Sequence, residues 1–324
     1  MKILRFCLFG AGEMASIHAL NLISDPRVRL AYVVEPSAER AKVVDMDNAF
    51  ADTSIDAYVI ATPARSHADY LERATATRAY VFCEKPIDHD MARSRACMAA
   101  LKGRETHAQM GFNRRYDDQF VALKQAITAG RIGQVEQVLI ILRDAEAPPV
   151  AGFIHSSGLL KETAVHDFDL VRWLLDDELV EVYVMADALI NPAYLTVGQI
   201  DTPTTALRMA RGTHVTILNT LRAASGYDQR FEVLGTLGQA SVGNVPQSLV
   251  VLTTADGIRS EKPLNNYHQR YAQAYRTEML AFVQTVASGG AALPVVMDGL
   301  RASVVAEAAI VSMTRNLPVP ITVA

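Results

Sequence analysis

Cysteine is scarce in this 324-residue chain, which holds only Cys7, Cys83 and Cys97. Three scattered cysteines are too few for a disulfide framework or a zinc cluster. Cys7 and Cys83 sit in apolar, strand-like runs and read as small core residues in a reducing compartment. Long apolar runs are absent as well. None reaches the roughly 18 residues of a membrane-spanning helix, so no membrane association is expected. The apolar start, residues 1–9, is broken by Arg5 and ends at Gly10 without a cleavage-like pattern. A buried first strand explains it better than a signal peptide, and the chain is expected in the cytoplasm. Basic runs are missing and the formal net charge is −4, which argues against nucleic acid as a partner. No internal repeat or low-complexity linker is visible.

What is present is an ordinary globular composition, 50% hydrophobic and 20% charged, at a length that suits two domains. Strand-like runs at 3–9, 28–34, 57–61 and 79–83 alternate with helical segments near 13–24 and 66–75. A helix near 91–102 then leads to a strand at 107–111. Buried strands alternating with helices predict a parallel sheet with crossovers. The pattern changes after about Arg115. A helix at 118–129 ends at Gly130, and strand runs follow at 135–143, 180–189, 204–210, 213–222, 230–235 and 249–254. One helix near 160–175 interrupts them, and two more, near 267–288 and 298–316, close the chain. The expected fold is an α/β domain over 1–115 and an α+β domain over 116–324. The second is built on a large, mainly antiparallel sheet, with the final helix packing back on the first domain.

Gly10-Ala11-Gly12-Glu13-Met14-Ala15 follows a predicted strand and opens a predicted helix. It fits G-x-G-x-x-[GA], the dinucleotide-binding turn of a Rossmann domain. The first glycine permits the tight turn, the second lets backbone approach a pyrophosphate at the helix N-terminus, and Ala15 permits close helix–strand packing. Glu35 ends the second strand, where a ribose-binding acid is expected; the bland reading is a solvated acid before Pro36. A carboxylate there repels a 2′-phosphate, which predicts NAD over NADP, although Arg40 keeps NADP open. Only about 21 residues separate Glu35 from the strand at Ala57. The second crossover must be abbreviated, with residues 43–45 as a very short strand and 47–50 as a stub of helix.

Ligands bind outside the carboxyl ends of parallel strands. Thr62 and Pro63 lie at one such end, Glu84 and Lys85 at the next, and His67 opens the helix after the first. With Gly10, Gly12, Glu13, Met14 and Glu35 they form the cofactor-binding candidates. By position alone Lys85 could equally be a solvated lysine. Further on, Glu162 and His166 are spaced i, i+4 and are predicted to share a helix face. That spacing also fits two metal ligands, but no third is evident and no metal is expected. Oxidising a secondary alcohol needs a proton acceptor, and imidazole, with a reference pKa of about 6.5, can serve. A lysine ammonium can stabilise developing alkoxide charge.

The order Gly-x-Gly-x-x-Ala, Ala61-Thr62-Pro63, Glu84-Lys85-Pro86, Gly111-Phe112-Asn113-Arg114-Arg115-Tyr116-Asp117 and His166-Asp167-Phe168-Asp169 resembles the glucose–fructose oxidoreductase/inositol dehydrogenase (Gfo/Idh/MocA) family. It is most similar to the myo-inositol 2-dehydrogenase branch. The resemblance implies an NAD-dependent dehydrogenase acting on a cyclic polyol or sugar, assembled as a homodimer or homotetramer. It implies Lys85 and His166 as catalytic groups, and Glu162 where relatives usually carry aspartate. Asn113, Arg115, Tyr227 and His155 fall at positions implied to face the substrate. The longer Glu162 and Ser156-Ser157-Gly158 depart from the family pattern, so another inositol isomer, a pyranose or an inosose fits as well. Two other readings keep the dinucleotide: a lyase or glycosidase working by transient oxidation, and a non-catalytic dinucleotide-binding protein.

Overall fold

The computed structural model describes residues 2–35, 46–153 and 156–322. The chain divides into two compact units, Met1–Tyr116 with Gln273–Ser303, and Asp117–Ala272 with Val304–Ala324.

In the first unit β1 (Leu4–Phe9), α1 (Glu13–Ile23), β2 (Val28–Val34), α2 (Met46–Ala51), β3 (Ala57–Ile60), α3 (His67–Thr75), β4 (Tyr80–Glu84), α4 (Met91–Ala100) and β5 (Ala108–Gly111) follow in order. The strands pair in parallel in the order β2-β1-β3-β4-β5. Every residue of β3, β4 and β5 is buried, as continuous apolar runs require when both faces are covered. Strand alternation sends Leu4, Phe6 and Leu8 to one face. There they join Ala15 and Leu22 of α1 and Phe282 of the later helix Ala272–Ser288 in one core cluster. Phe6 and Phe282 meet edge to face at 6.0 Å. Phe9 points to the other face and stacks on Phe50 and Tyr58. The helix stub expected at 47–50 is α2. The short strand expected at 43–45, Arg40 and the substrate candidate His155 lie outside the described residues.

All three cysteines belong to this unit, and all are free and buried. Burial pushes the thiols of Cys7 and Cys97 up to about 12 and raises that of Cys83 as well.

The second unit opens with α5 (Asp118–Thr128) and β6 (Val135–Arg143), followed by α6 (Val150–Phe153), α7 (Leu159–Glu162) and α8 (Ala164–Leu175). Then come β7 (Leu179–Asp187), β8 (Thr202–Met209), β9 (His214–Thr220), β10 (Asp228–Gly235), β11 (Gly238–Val242), β12 (Val251–Thr254), β13 (Gly257–Ser260) and, near the end of the chain, β14 (Val319–Pro320). The seven-stranded sheet has the order β11-β10-β6-β9-β8-β7-β14. Its pairs are antiparallel except β6 with β9. In β8, β9 and β10 buried residues alternate with exposed or half-buried ones, so one sheet face is covered and the other open. The expected strand at 249–254 is not part of this sheet. Among the described residues it pairs only with β13, as an exposed two-stranded ladder.

Two expected helices are each interrupted. The one near 160–175 is α7 and α8, broken at Thr163, and the one near 267–288 begins as Tyr267–Arg270 and resumes at Ala272. The second break sits beside a buried ion pair. Arg270 Nη1 donates to Asp117 Oδ2 at 2.5 Å, and Asp117 Oδ1 accepts the Gln119 N–H as the N-cap of α5. Arg270→Leu leaves that carboxylate buried without its cation. We expect a loss of about 3–5 kcal/mol in unfolding free energy, measured by urea denaturation.

Candidate active site

The cofactor turn is built at the point where the first sheet reverses its strand order, between β1 and β3. Gly10 follows β1 with φ 106°, a conformation open to glycine. A Cβ there would also run into the Ala61 carbonyl, whose carbon lies 2.8 Å away. Gly12 is different. Its φ is −77°, and a Cβ would meet nothing within 4 Å. Gly12, the N-cap of α1, has no side chain to accept the helix's first N–H groups, and Ala15 packs into the core behind it. An uncapped helix start beside unfilled space fits a pyrophosphate. Glu13 is exposed and Met14 half-buried in that first turn, so their backbone N–H groups, rather than the Glu13 charge, suit an anion. Glu35 Oε2 accepts the Ala11 N–H at 2.7 Å, which ties the end of β2 to the turn.

The ends of β3 and β4 carry the next group. Thr62 is buried. His67, 2% exposed, sets Nδ1 2.7 Å from the Pro86 carbonyl oxygen and Nε2 2.7 Å from the Thr62 carbonyl oxygen. A doubly protonated ring donates to both, a neutral one to only one. Burial pushes its pKa down, opposed by the two carbonyls and by Glu84. His67, a cofactor candidate, thus sets both ring nitrogens against backbone carbonyls. Glu84, a cofactor candidate too, turns inward. Its Oε1 lies 2.7 Å from His18 Nε2, and the carboxylate crowds the position a Cβ on Gly111 would take, with its nearest atoms 3.1 Å away. Burial raises the Glu84 pKa, but the His18 hydrogen bond and the nearby Lys85 and His67 outweigh it, and the net direction is down.

Lys85 follows, half-buried, with a cis peptide bond to Pro86. β4 pairs with β5 through Glu84 and Gly111, and Asn113 and Arg115 lie in the short helical turn that follows β5. Asn113 is buried, while Arg115 is ion-paired with Asp298 at 3.3 Å.

In the second unit Glu162 ends α7 and His166 lies in the first turn of α8. They are not on one continuous helix, as the i, i+4 spacing had suggested. Gly158, at φ 89°, turns the chain into α7, and the Glu162 carboxylate reaches back to accept the Ser157 N–H at 2.7 Å and its hydroxyl at 3.2 Å. His166 is half-buried. The neighbouring Asp167 is fully buried and accepts from Asn219 Nδ2 on β9 at 3.1 Å. Tyr227 precedes β10, buried and edge-on to Tyr271 with ring centroids 6.3 Å apart. Among the described residues, no group of three or more His, Cys, Asp or Glu is placed to hold a metal ion, and no helix is long and apolar enough to cross a membrane.

Two family models match the chain. The oxidoreductase family with NAD-binding Rossmann fold, GFO/IDH/MocA, matches residues 4–112, and the GFO/IDH/MocA C-terminal domain matches residues 120–241. Inositol 2-dehydrogenase of Rhizobium meliloti (strain 1021) is 37% identical over 98% of this chain and 99% of its own. The chain belongs to the GFO/IDH/MocA oxidoreductase family. Solved structures agree. A myo-inositol dehydrogenase from Corynebacterium glutamicum is similar with TM-score 0.94 and 30% identity, over 100% of both chains. The scyllo-inositol dehydrogenase from Lactobacillus casei with bound NAD(H) and scyllo-inositol gives 0.90 and 25%, over 99% of each chain.

Within this GFO/IDH/MocA chain, His18 is the residue the sequence reading missed. Ala15, His18 and Leu22 are the buried residues of α1. A histidine on that face needs a buried polar partner, a signal that was available.

Proposed function

We propose that this chain is an NAD-dependent dehydrogenase that oxidises a secondary hydroxyl of a cyclic polyol, myo-inositol or a close relative. The observation that carries the reading is the open Gly12 cradle in a chain 37% identical, nearly end to end, to an inositol 2-dehydrogenase. The inositol-bound relative from L. casei supports the polyol class.

NAD, when bound, supplies the acceptor for the hydride that leaves the alcohol carbon. Gly10, Gly12 and the first N–H groups of α1 hold its pyrophosphate, and Glu35 its ribose. Thr62 and Pro63 shape the wall at the end of β3. Lys85 donates a hydrogen bond to the reacting oxygen and stabilises charge as the proton departs. His166 accepts that proton. Glu162, steadied by Ser157, binds a neighbouring hydroxyl or orients His166. Asn113, Arg115, His155 and Tyr227 are the remaining substrate contacts. The enzyme works in the cytoplasm, which suits its three free cysteines. It assembles as a homodimer or homotetramer through the open face of the large sheet, since an exposed sheet face favours a symmetric partner.

A panel of inositols and pyranoses with NAD or NADP, followed by absorbance of the reduced cofactor, tests this. We expect turnover on at least one inositol, with kcat/KM for NAD at least about tenfold above NADP, the cost of one badly paired charged contact at Glu35. Substrate conversion without net NADH would favour the transient-oxidation chemistry instead.

A further inference from the structure

His67 makes two backbone contacts that the hydride chemistry does not require. Its ring spans neighbouring strand ends, the Thr62 carbonyl after β3 and the Pro86 carbonyl after β4. Pro86 directly follows Lys85, and proline has no N–H, so its carbonyl is its one backbone group that can be tied down. On the other side of Lys85, the Glu84 side chain is held by His18. Lysine carries its charge on a long flexible stem, so control of that charge begins with a fixed backbone.

We infer that His67 is a positioning residue for Lys85, acting through the hydrogen bond from Nδ1 to the Pro86 carbonyl. This rests on the proposed role of Lys85. The alternative is a purely structural clamp, in which both carbonyl contacts matter equally and only stability responds.

The two contacts can be separated. An asparagine amide reaches the position of Nδ1, and a glutamine amide that of Nε2. His67→Asn therefore keeps a donor for Pro86, and His67→Gln keeps one for Thr62. Displacing a reacting group by about 1 Å can cost roughly 100-fold, so we expect His67→Gln to lower kcat about 30-fold and His67→Asn no more than about fivefold. Calorimetric NAD affinity and melting temperature should shift alike in the two variants. Equal kcat in both, or a larger loss in His67→Asn, overturns the inference. So does a loss of kcat that merely tracks the folded fraction. Neutron diffraction of wild-type crystals gives a reading independent of the variants: the proton must be on Nδ1, and a ring protonated on Nε2 alone overturns the proposal. Lys85→Ala run alongside separates the two layers. If that variant keeps wild-type kcat, the reading of Lys85 fails; if it is inactive while the two His67 variants match, only the positioning role fails.

Discussion

Lys85→Ala and His166→Ala are each expected to lower kcat by about 10³-fold, within the range found when a charge-stabilising donor or a general base is removed. The calorimetric affinity for NAD should change little, because the pyrophosphate and ribose groups are assigned to other residues. The double variant should be scarcely slower than either single one, since groups acting on the same proton transfer are strongly non-additive. Initial rates of NADH formation with the best polyol from the panel measure all three. A single variant that retains wild-type kcat removes that residue from the mechanism.

The two glycines of the cofactor turn should fail in opposite ways. Gly10→Val meets a positive φ and the Ala61 carbonyl together. Strain of that kind costs about 1–3 kcal/mol before the steric overlap is added. We expect at least about 3 kcal/mol of lost stability in the first unit, with NAD binding lost too. Gly12→Ala has an ordinary φ and open space for its methyl group. It should fold within about 1 kcal/mol of wild type, the scale of a change at a helix N-cap. Its NAD dissociation constant should nevertheless rise about 10-fold or more, because the methyl occupies space assigned to the pyrophosphate. Urea denaturation and calorimetry on both variants separate the effects. A Gly12→Ala protein with wild-type NAD affinity would remove the pyrophosphate from that space.

The contrast shows which features are legible in a sequence. Gly10 and Gly12 announce a turn because the requirement is local, and the strands on either side complete the argument. The parallel sheet was readable because its central strands β3 and β4 are buried on both faces and therefore almost continuously apolar. The His18–Glu84 contact was not readable as a pair, since 66 positions separate its members. The break at Thr163 escaped because the helical spacing of Glu162 and His166 is the same with or without a kink, while the Glu162–Ser157 contact depends on local geometry. β11 and β13 are largely exposed and short, so they have little apolar pattern to find. The helix Ala272–Ser288 advertised a buried face, but periodicity does not say that Phe282 packs on Phe6.

The distribution of cysteine also provides a built-in probe. Cys7, Cys83 and Cys97 all lie in the dinucleotide-binding unit, and the second unit has none. Their burial and raised pKa keep them inert while that unit is closed. Thiol labelling of the unmodified protein therefore times the opening of one half of the molecule, while the other stays silent. A dinucleotide that binds only the closed form slows that clock in proportion to its occupancy, so its affinity can be read without turnover or a substrate.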